Sequence, residues 1–206
     1  EEEPAMPRWG MVIDLTRCVG CYACSMACKV ENGTPPGVWY SPVYEKETGT
    51  YPTVNRMFIP TLCNHCRDAP CAKACPTGAL QQRGDGIVEV DSDRCCGSRA
   101  CMNACPYGAL HFYENGRDDF VQGSTPFGDR AYAGLTEGTV MKCTFCSHRI
   151  DQRNLTPACV QTCPTECRHF GDLDDPESNV SRLIREKNGS PLRPEAETDA
   201  CVFYLR

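Results

Sequence analysis

The residues with the most chemistry in them are cysteines, 18 in a chain of 206. They are clustered. Cys18, Cys21, Cys24 and Cys28 follow the spacing C-x2-C-x2-C-x3-C, and Cys63, Cys66, Cys71 and Cys75 follow C-x2-C-x4-C-x3-C. Cys95, Cys101 and Cys105 form a third group, with Cys96 beside its first member. Cys143, Cys146, Cys159 and Cys163 form a fourth, and Cys167 and Cys201 stand apart. Three groups end in Cys-Pro, at Pro76, Pro106 and Pro164. Thiolates are soft ligands, and three of them a few residues apart on one loop suit three corners of an iron–sulfur cube.

Other uses of cysteine fit the spacing poorly. A disulfide scaffold bridges distant loops, and pairs two residues apart would be strained. Structural zinc takes two C-x2-C pairs per site, without a further Cys at x3 followed by Pro. A thiol redox protein carries one isolated C-x2-C. Cys95-Cys96-Gly97 resembles the double-Cys motif of heterodisulfide reductases, but no partner C-x2-C appears at the expected distance, so it reads as incidental. The first group has the form of a bacterial ferredoxin site, whose fourth Cys ligates the other cluster of a pair. In the other three groups the Pro after the last Cys suits a first helical position, where a missing N–H costs nothing.

The elements that must position these groups repeat. Short β-prone runs precede each one: Met11–Leu15, Met57–Ile59, Ile87–Val90 and Thr139–Met141. After the second and third groups come the phrases Thr77-Gly78-Ala79-Leu80 and Tyr107-Gly108-Ala109-Leu110. Strand, ligand loop, short helix and turn thus form a unit, used four times. The predicted fold class is α+β, two nested bacterial-ferredoxin-like modules with long connecting loops. Residues 58–112 form the inner module, 1–57 with 139–206 the outer module with a C-terminal helix and tail, and 113–138 a connecting loop. Groups one and four each lack a neighbour to share a fourth Cys, so the simplest solution pairs them. Cys18, Cys21, Cys24 and Cys163 then hold one cluster, and Cys143, Cys146, Cys159 and Cys28 the next. Cys63, Cys66, Cys71 and Cys105 hold a third, and Cys95, Cys101 and Cys75 supply three ligands to a fourth.

The fourth set is one thiolate short. Counting back from Cys101 by the usual spacing gives Ser98 where a second Cys belongs. The site then holds a [3Fe–4S] cluster, or a [4Fe–4S] cluster completed by Ser98 or by Cys96. The expected cofactors are three [4Fe–4S] clusters plus this one. Losing a thiolate removes negative charge, so it is expected to have the highest potential of the four.

Several residues carry a functional and a plain reading side by side. His65 and His148 could tune a cluster, but a histidine bonded to backbone in a ligand loop is the commoner role. Lys142 and Arg94 precede ligand cysteines and could offset cluster charge or simply be solvated. Residues 29–57 and 113–138 read as long ordered loops whose aromatics either cover a small core or dock onto partners. In the tail, Asp175 is a plausible N-cap, with Pro176 first in a helix, Val180, Leu183 and Ile184 as its apolar stripe and Gly189 as its end. Cys201–Leu205 reads as an edge or interface strand.

The remaining totals exclude more than they assign. A net charge of −6 gives no reason to expect nucleic-acid binding. No run of ten apolar residues exists, so no transmembrane helix is expected. Glu1-Glu2-Glu3-Pro4 lacks the basic and apolar regions of a signal peptide, and a processed start is expected to be possible.

The motifs taken together resemble a known family. They include Asp14-Leu15-x-x-Cys18-Val19-Gly20-Cys21, Cys63-Asn64-His65-Cys66-x-x-x-Pro70-Cys71, Lys142-Cys143-Thr144-Phe145-Cys146 and Phe170-Gly171-Asp172-Leu173. Over nearly its whole length the chain resembles the four-cluster iron–sulfur subunits of dimethyl sulfoxide reductase-type molybdoenzymes, the polysulfide, thiosulfate, tetrathionate and arsenate reductase group. The resemblance implies the same nested pairing. It also implies electron relay between a large molybdopterin (Mo or W) catalytic subunit and an integral membrane, quinone-reactive partner. No substrate chemistry of the chain's own is implied. The expected location is a membrane-associated complex, on the periplasmic side rather than the cytoplasmic, anchored by another chain. The alternatives are a stand-alone soluble polyferredoxin or maturation-linked carrier, and an enzyme whose Ser98 site is an open catalytic iron.

Overall fold

The computed structural model describes residues 6–114, 125–153 and 155–206. The Glu1–Pro4 start and the middle of the 113–138 stretch lie outside the described residues.

Strand β1 (Trp9–Asp14) is the centre of the outer part. Met11, Val12 and Ile13 are all fully buried, because neighbours cover both faces of the strand. Antiparallel β8 (Arg168–Asp172) flanks it on one side, and parallel β9 (Val202–Leu205) on the other. Side chains alternate across a strand, so Met11 and Ile13 face the cysteine-bearing core while Val12 faces the other way, toward Val180 and Leu205. The tail therefore supplies an edge strand, with Val202, Tyr204 and Leu205 buried.

Each ligand group sits where the unit places it. Helix α1 (Ala23–Asn32) carries Cys24 and Cys28, α2 (Pro70–Lys73) carries Cys71, and α3 (Ala100–Ala104) carries Cys101. Phrases after groups two and three turn at Gly78 and Gly108, both with positive φ, into the short strands β4 (Leu80–Gln82) and β6 (Leu110–Tyr113). Leu80 and Leu110 then point into one inner core with Val88 and Val140. Strand β4 pairs with β5 (Val88–Val90), and β6 pairs with β7 (Thr139–Lys142), the strand that leads into the fourth group. The inner and outer parts therefore share a β-ladder.

Three expectations change. Half of the supposed loop 29–57 is a hairpin, β2 (Val43–Thr50) with β3 (Thr53–Pro60), paired from Val43↔Pro60 to Thr50↔Thr53. Its outer half is solvent-exposed on both faces, so no apolar alternation announces it. In the 113–138 stretch, Pro126–Tyr132 is a helix, α4, capped by the Thr125 hydroxyl, which accepts from the Gly128 N–H at 3.0 Å. Lastly, the tail helix begins later than Asp175. After α5 (Ser147–Arg153) and α6 (Ala158–Gln161), helix α7 runs Asn179–Glu186 with Ser178 as N-cap. Asp175 instead accepts the Glu177 N–H in the preceding turn.

The apolar stripe of α7 is as expected. Val180 is fully buried, with Leu183 and Ile184 packed beside it. At its end Asn188 takes the left-handed conformation, and the Gly189 N–H returns to the Ile184 carbonyl, a Schellman closure. Because the Ser178 hydroxyl accepts from the Ser181 N–H, Ser178→Ala is expected to cost about 1 kcal/mol in a urea melt. An unchanged midpoint would place the cap elsewhere.

Candidate metal centres

None of the 18 cysteines is in a disulfide. The four ligand loops share a backbone device. The residue before the second ligand position has positive φ in every one: Gly20 at 66°, His65 at 43°, Gly97 at 69° and Phe145 at 52°. This turn wraps the loop around a centre. At Gly20 a side chain is also excluded by space, since a Cβ would run into the Phe58 ring. In loops two and four the same turn aims the His65 and Phe145 N–H groups at Cys63 Sγ (3.5 Å) and Cys143 Sγ (3.4 Å). The two rings stack with centroids 3.8 Å apart.

The thiols gather across loops. Helix α1, which carries Cys28, packs against α6, which carries Cys159, and burial first, then the charges of Cys159 and Cys146, push the Cys28 thiol up. Cys143 is raised by burial and by Cys28 and Cys63, so it faces both its own group and the second. Burial and then Cys63, Cys71 and Cys105 push Cys66 up to about 12, with only a Thr198 hydrogen bond opposing. Cys71 is pushed up to about 11 by burial and by Cys63 and Cys105. Cys101 rises through burial and through Cys75 and Cys95. Cys18 and Cys163 share Cys167 as neighbour, Cys24 is buried on α1 in the same group as Cys18, and Cys21 is exposed on the loop. Asn32 bridges two of the thiols, its amide NH2 donating to Cys28 Sγ at 3.4 Å and Cys146 Sγ at 3.8 Å.

Such a donor set fits iron–sulfur clusters. A buried thiol whose pKa is raised stays protonated unless a cation takes the proton's place, and iron does so. The fourth thiols of two loops are different. For Cys163, burial is outweighed by the Cys167 N–H (3.3 Å), the Thr165 hydroxyl (3.7 Å) and the Cys167 thiol, which hold it below the ordinary value. At Cys75 burial is likewise outweighed by N–H groups and the Thr77 hydroxyl at 3.7 Å. The repeated Cys-Pro-Thr phrase thus prepares a thiolate.

Sequence reasoning missed the part played by Cys167. It is buried, and its Sγ lies 3.4 Å from Cys163 Sγ. It donates to a ligand position both from its backbone N–H and from its thiol. Cys201, fully buried and 3.9 Å from an Arg8 nitrogen, belongs to no group. Lys142 is not solvated: it is 2% exposed, and its ammonium donates to the Cys143 carbonyl at 2.6 Å and to that of Val88. Arg94, by contrast, is on the surface, capping the Thr77 carbonyl. The His65 ring accepts the Val88 N–H at Nδ1 (3.0 Å), which leaves its proton on a buried, unpartnered Nε2. Burial and Lys142 keep that ring neutral. His148 pairs with the Glu31 carboxylate at 2.9 Å on the surface, a side-chain partner in place of the expected backbone one.

The third loop can be compared residue by residue with the first. Gly97 matches Gly20 in φ, and Arg99 (φ 59°, ψ 6°) matches Tyr22 (φ 58°, ψ 6°) as the left-handed residue before the helix. Ser98 therefore occupies the backbone position of Cys21, and Cys96 that of Val19, which is 59% exposed. Cys96 is exposed too, although it and Ser98 both line the cavity that Cys75, Cys95 and Cys101 border. A Cβ at Gly97 would meet the Gly138 carbonyl at 2.5 Å, so this turn also is closely held. Arg99 lies over the Phe112 ring, 3.6 Å from its centroid, and pairs with Glu114 at 2.9 Å.

Among the described residues no helix is long and apolar enough to cross a membrane. A family model described as a 4Fe-4S dicluster domain matches residues 54–119 and 114–173, and one described as a 4Fe-4S binding domain matches residues 9–30. The chain is 45% identical to the arsenate respiratory reductase iron-sulfur subunit of Shewanella sp. (strain ANA-3), over 97% of this chain and 96% of that one. It is 41% identical to a selenate reductase subunit from Mesobacillus selenatarsenatis and 38% identical to a tetrathionate reductase subunit from Salmonella typhimurium. In both cases 96% of this chain aligns with 72% of the relative.

Proposed function

Because the chain belongs to the family of iron–sulfur electron-transfer subunits of dimethyl sulfoxide reductase-type reductases, we propose that it relays electrons through four clusters between two partner subunits. One partner is a molybdopterin catalytic subunit. The other is a quinone-linked membrane subunit, with the complex on the periplasmic side. The subunit is not itself catalytic.

The proposed ligand sets are Cys18, Cys21, Cys24 and Cys163; Cys143, Cys146, Cys159 and Cys28; Cys63, Cys66, Cys71 and Cys105; and Cys95, Cys101 and Cys75. The last set holds a [3Fe–4S] cluster, with Ser98 at the vacant ligand position. The observation that carries the reading is the packing of cysteine-bearing helices from different groups, α1 against α6 and α2 against α3, with the Asn32 amide reaching both Cys28 and Cys146. A fourth ligand lent across a pair of loops supports two nested modules.

Bound clusters supply one-electron storage at potentials that the protein sets. The chain's own residues set them. N–H groups of His65 and Phe145, the Asn32 amide and the Cys167 N–H and thiol withdraw charge from ligand sulfurs. The buried Lys142 ammonium adds positive charge between the second and fourth groups. Nine of the fifteen proposed ligand thiols are buried, which limits the access of water, while Cys21 is exposed.

Anaerobic purification from the native host tests the whole reading. A large molybdopterin-bearing subunit is expected to come with the chain, and about 15 irons per chain, three fours and a three. A stable lone monomer carrying the same iron would sink the relay between partners and leave a free carrier.

A further inference from the structure

Arg168, at the start of β8, is only 2% exposed. Its Nη2 donates to the Ser41 hydroxyl at 2.8 Å and lies 3.5 Å from Cys24 Sγ. Its Nη1 is 3.8 Å from Met11 Sδ, and its Nε has no partner. Among the described residues none of its contacts is a carboxylate. Ser41 is itself buried, and its carbonyl accepts the Ser25 hydroxyl at 2.5 Å, so the guanidinium is held in one place.

A guanidinium does not give up its proton, and a buried cation without an anion is strongly unfavourable. Something anionic must face it. Helix α6, which carries Cys159, packs against β8, and Cys159 and Cys24 are the foremost groups that sustain the Arg168 charge against burial. In the ligand sets proposed above these belong to different clusters, Cys24 to the Cys18–Cys163 set and Cys159 to the Cys143–Cys28 set.

We propose that Arg168 is a counter-charge shared by the two outer clusters, raising the reduction potentials of both together. The inference rests on the relay reading and adds to it a positioning residue. The step concerned moves one electron between the two sites. One is oxidised and the other reduced by one electron, and no proton or bond changes. A cation close to ligands of both sites favours electron occupancy on either, so it holds both potentials up.

The test is an EPR-monitored redox titration of the loaded full chain. In Arg168→Met, two of the four reduction steps are expected to move to lower potential. Each shift is on the order of tenfold in the equilibrium constant, about 59 mV for one electron. The other two steps and the iron content stay at wild-type values. Arg168→Lys, which retains the charge, is expected to keep all four potentials. Unchanged potentials in a loaded Arg168→Met protein, or a shift of one cluster alone, would overturn the shared role. If Arg168→Met loads no iron, Arg168→Lys decides. Lowered potentials there, or no loading, also overturn the proposal, since it assigns Arg168 nothing beyond its charge. A wild-type chain without clusters is a separate outcome that sinks the relay reading itself.

Discussion

Ser98→Cys is expected to add one iron per chain, abolish the [3Fe–4S] EPR signal of the oxidised protein and lower the potential of that cluster. The backbone needs no rebuilding for this. Gly97 and Arg99 already hold the third loop in the conformation that Gly20 and Tyr22 give the first, with Ser98 where Cys21 stands. A hydroxyl is a poor iron ligand beside a thiolate, so restoring sulfur at that place closes the cube. The added thiolate brings negative charge. Within the full range that clusters span, a fall of roughly 100–300 mV is expected. Cys96→Ala is the companion variant and is expected to leave the spectrum and the potential alone, because Cys96 sits where the first loop exposes Val19. Sixteen irons in the wild-type chain, or loss of one on Cys96→Ala, would assign the fourth ligand differently.

Stripping the iron is expected to unfold the protein, not merely silence it. The core is built around ligand thiols: Cys24, Cys63, Cys143 and Cys159 lie in the larger apolar cluster, and Cys66, Cys71 and Cys101 in the second. Around them the regular structure is slight. Apart from the three-stranded β8-β1-β9 sheet, every sheet among the described residues has two strands, and isolated pairs are marginal in water. Metal binding in small domains is worth on the order of 10 kcal/mol of folding free energy, which exceeds what these elements supply alone. Treatment with a chelator under reducing conditions should therefore remove near-UV circular dichroism and the cooperative thermal transition together. An iron-free chain that kept both would show that the fold stands without its clusters. The same thiols give the pH sign. Cys66 and Cys71 hold their protons to about 12 and about 11, so loading displaces protons and is favoured as pH rises, and acid releases the iron.

Much of this was legible because ligand spacing is a local code. The four groups, the strands before them and the turns at Gly78 and Gly108 follow from residue type and count alone. The left-handed turns at His65 and Phe145 did not, because bulky residues rarely adopt that conformation and only the surrounding fold enforces it. The β2–β3 hairpin was hidden by composition: Glu45, Lys46, Glu47 and Thr48 are all exposed and leave no two-residue period to read. Ser178 outcompeted Asp175 as a cap because Asp175 was already engaged with the Glu177 N–H. Cys167 looked surplus since its spacing matches no ligand position, and only the folded chain sets it against Cys163. Lys142 ends a strand in which all four residues are buried, a placement that a lysine alone does not suggest.

The partners of β1 come late in the chain. Trp9 pairs with Asp172, and Met11 with Val202. During synthesis β1 thus leaves the ribosome with neither of its neighbours made, and it waits while the proposed inner module emerges. The inner part contains its own pairing, β4 with β5, and its last proposed ligand is Cys105. It is able to collect metal while the outer thiols are still dangling without Cys163. Chain order therefore favours assembly from the inside outward, with the strand Val202–Leu205 completing the outer sheet. Cys18, Cys21 and Cys24 are thus made long before Cys163, the thiol proposed to complete their set.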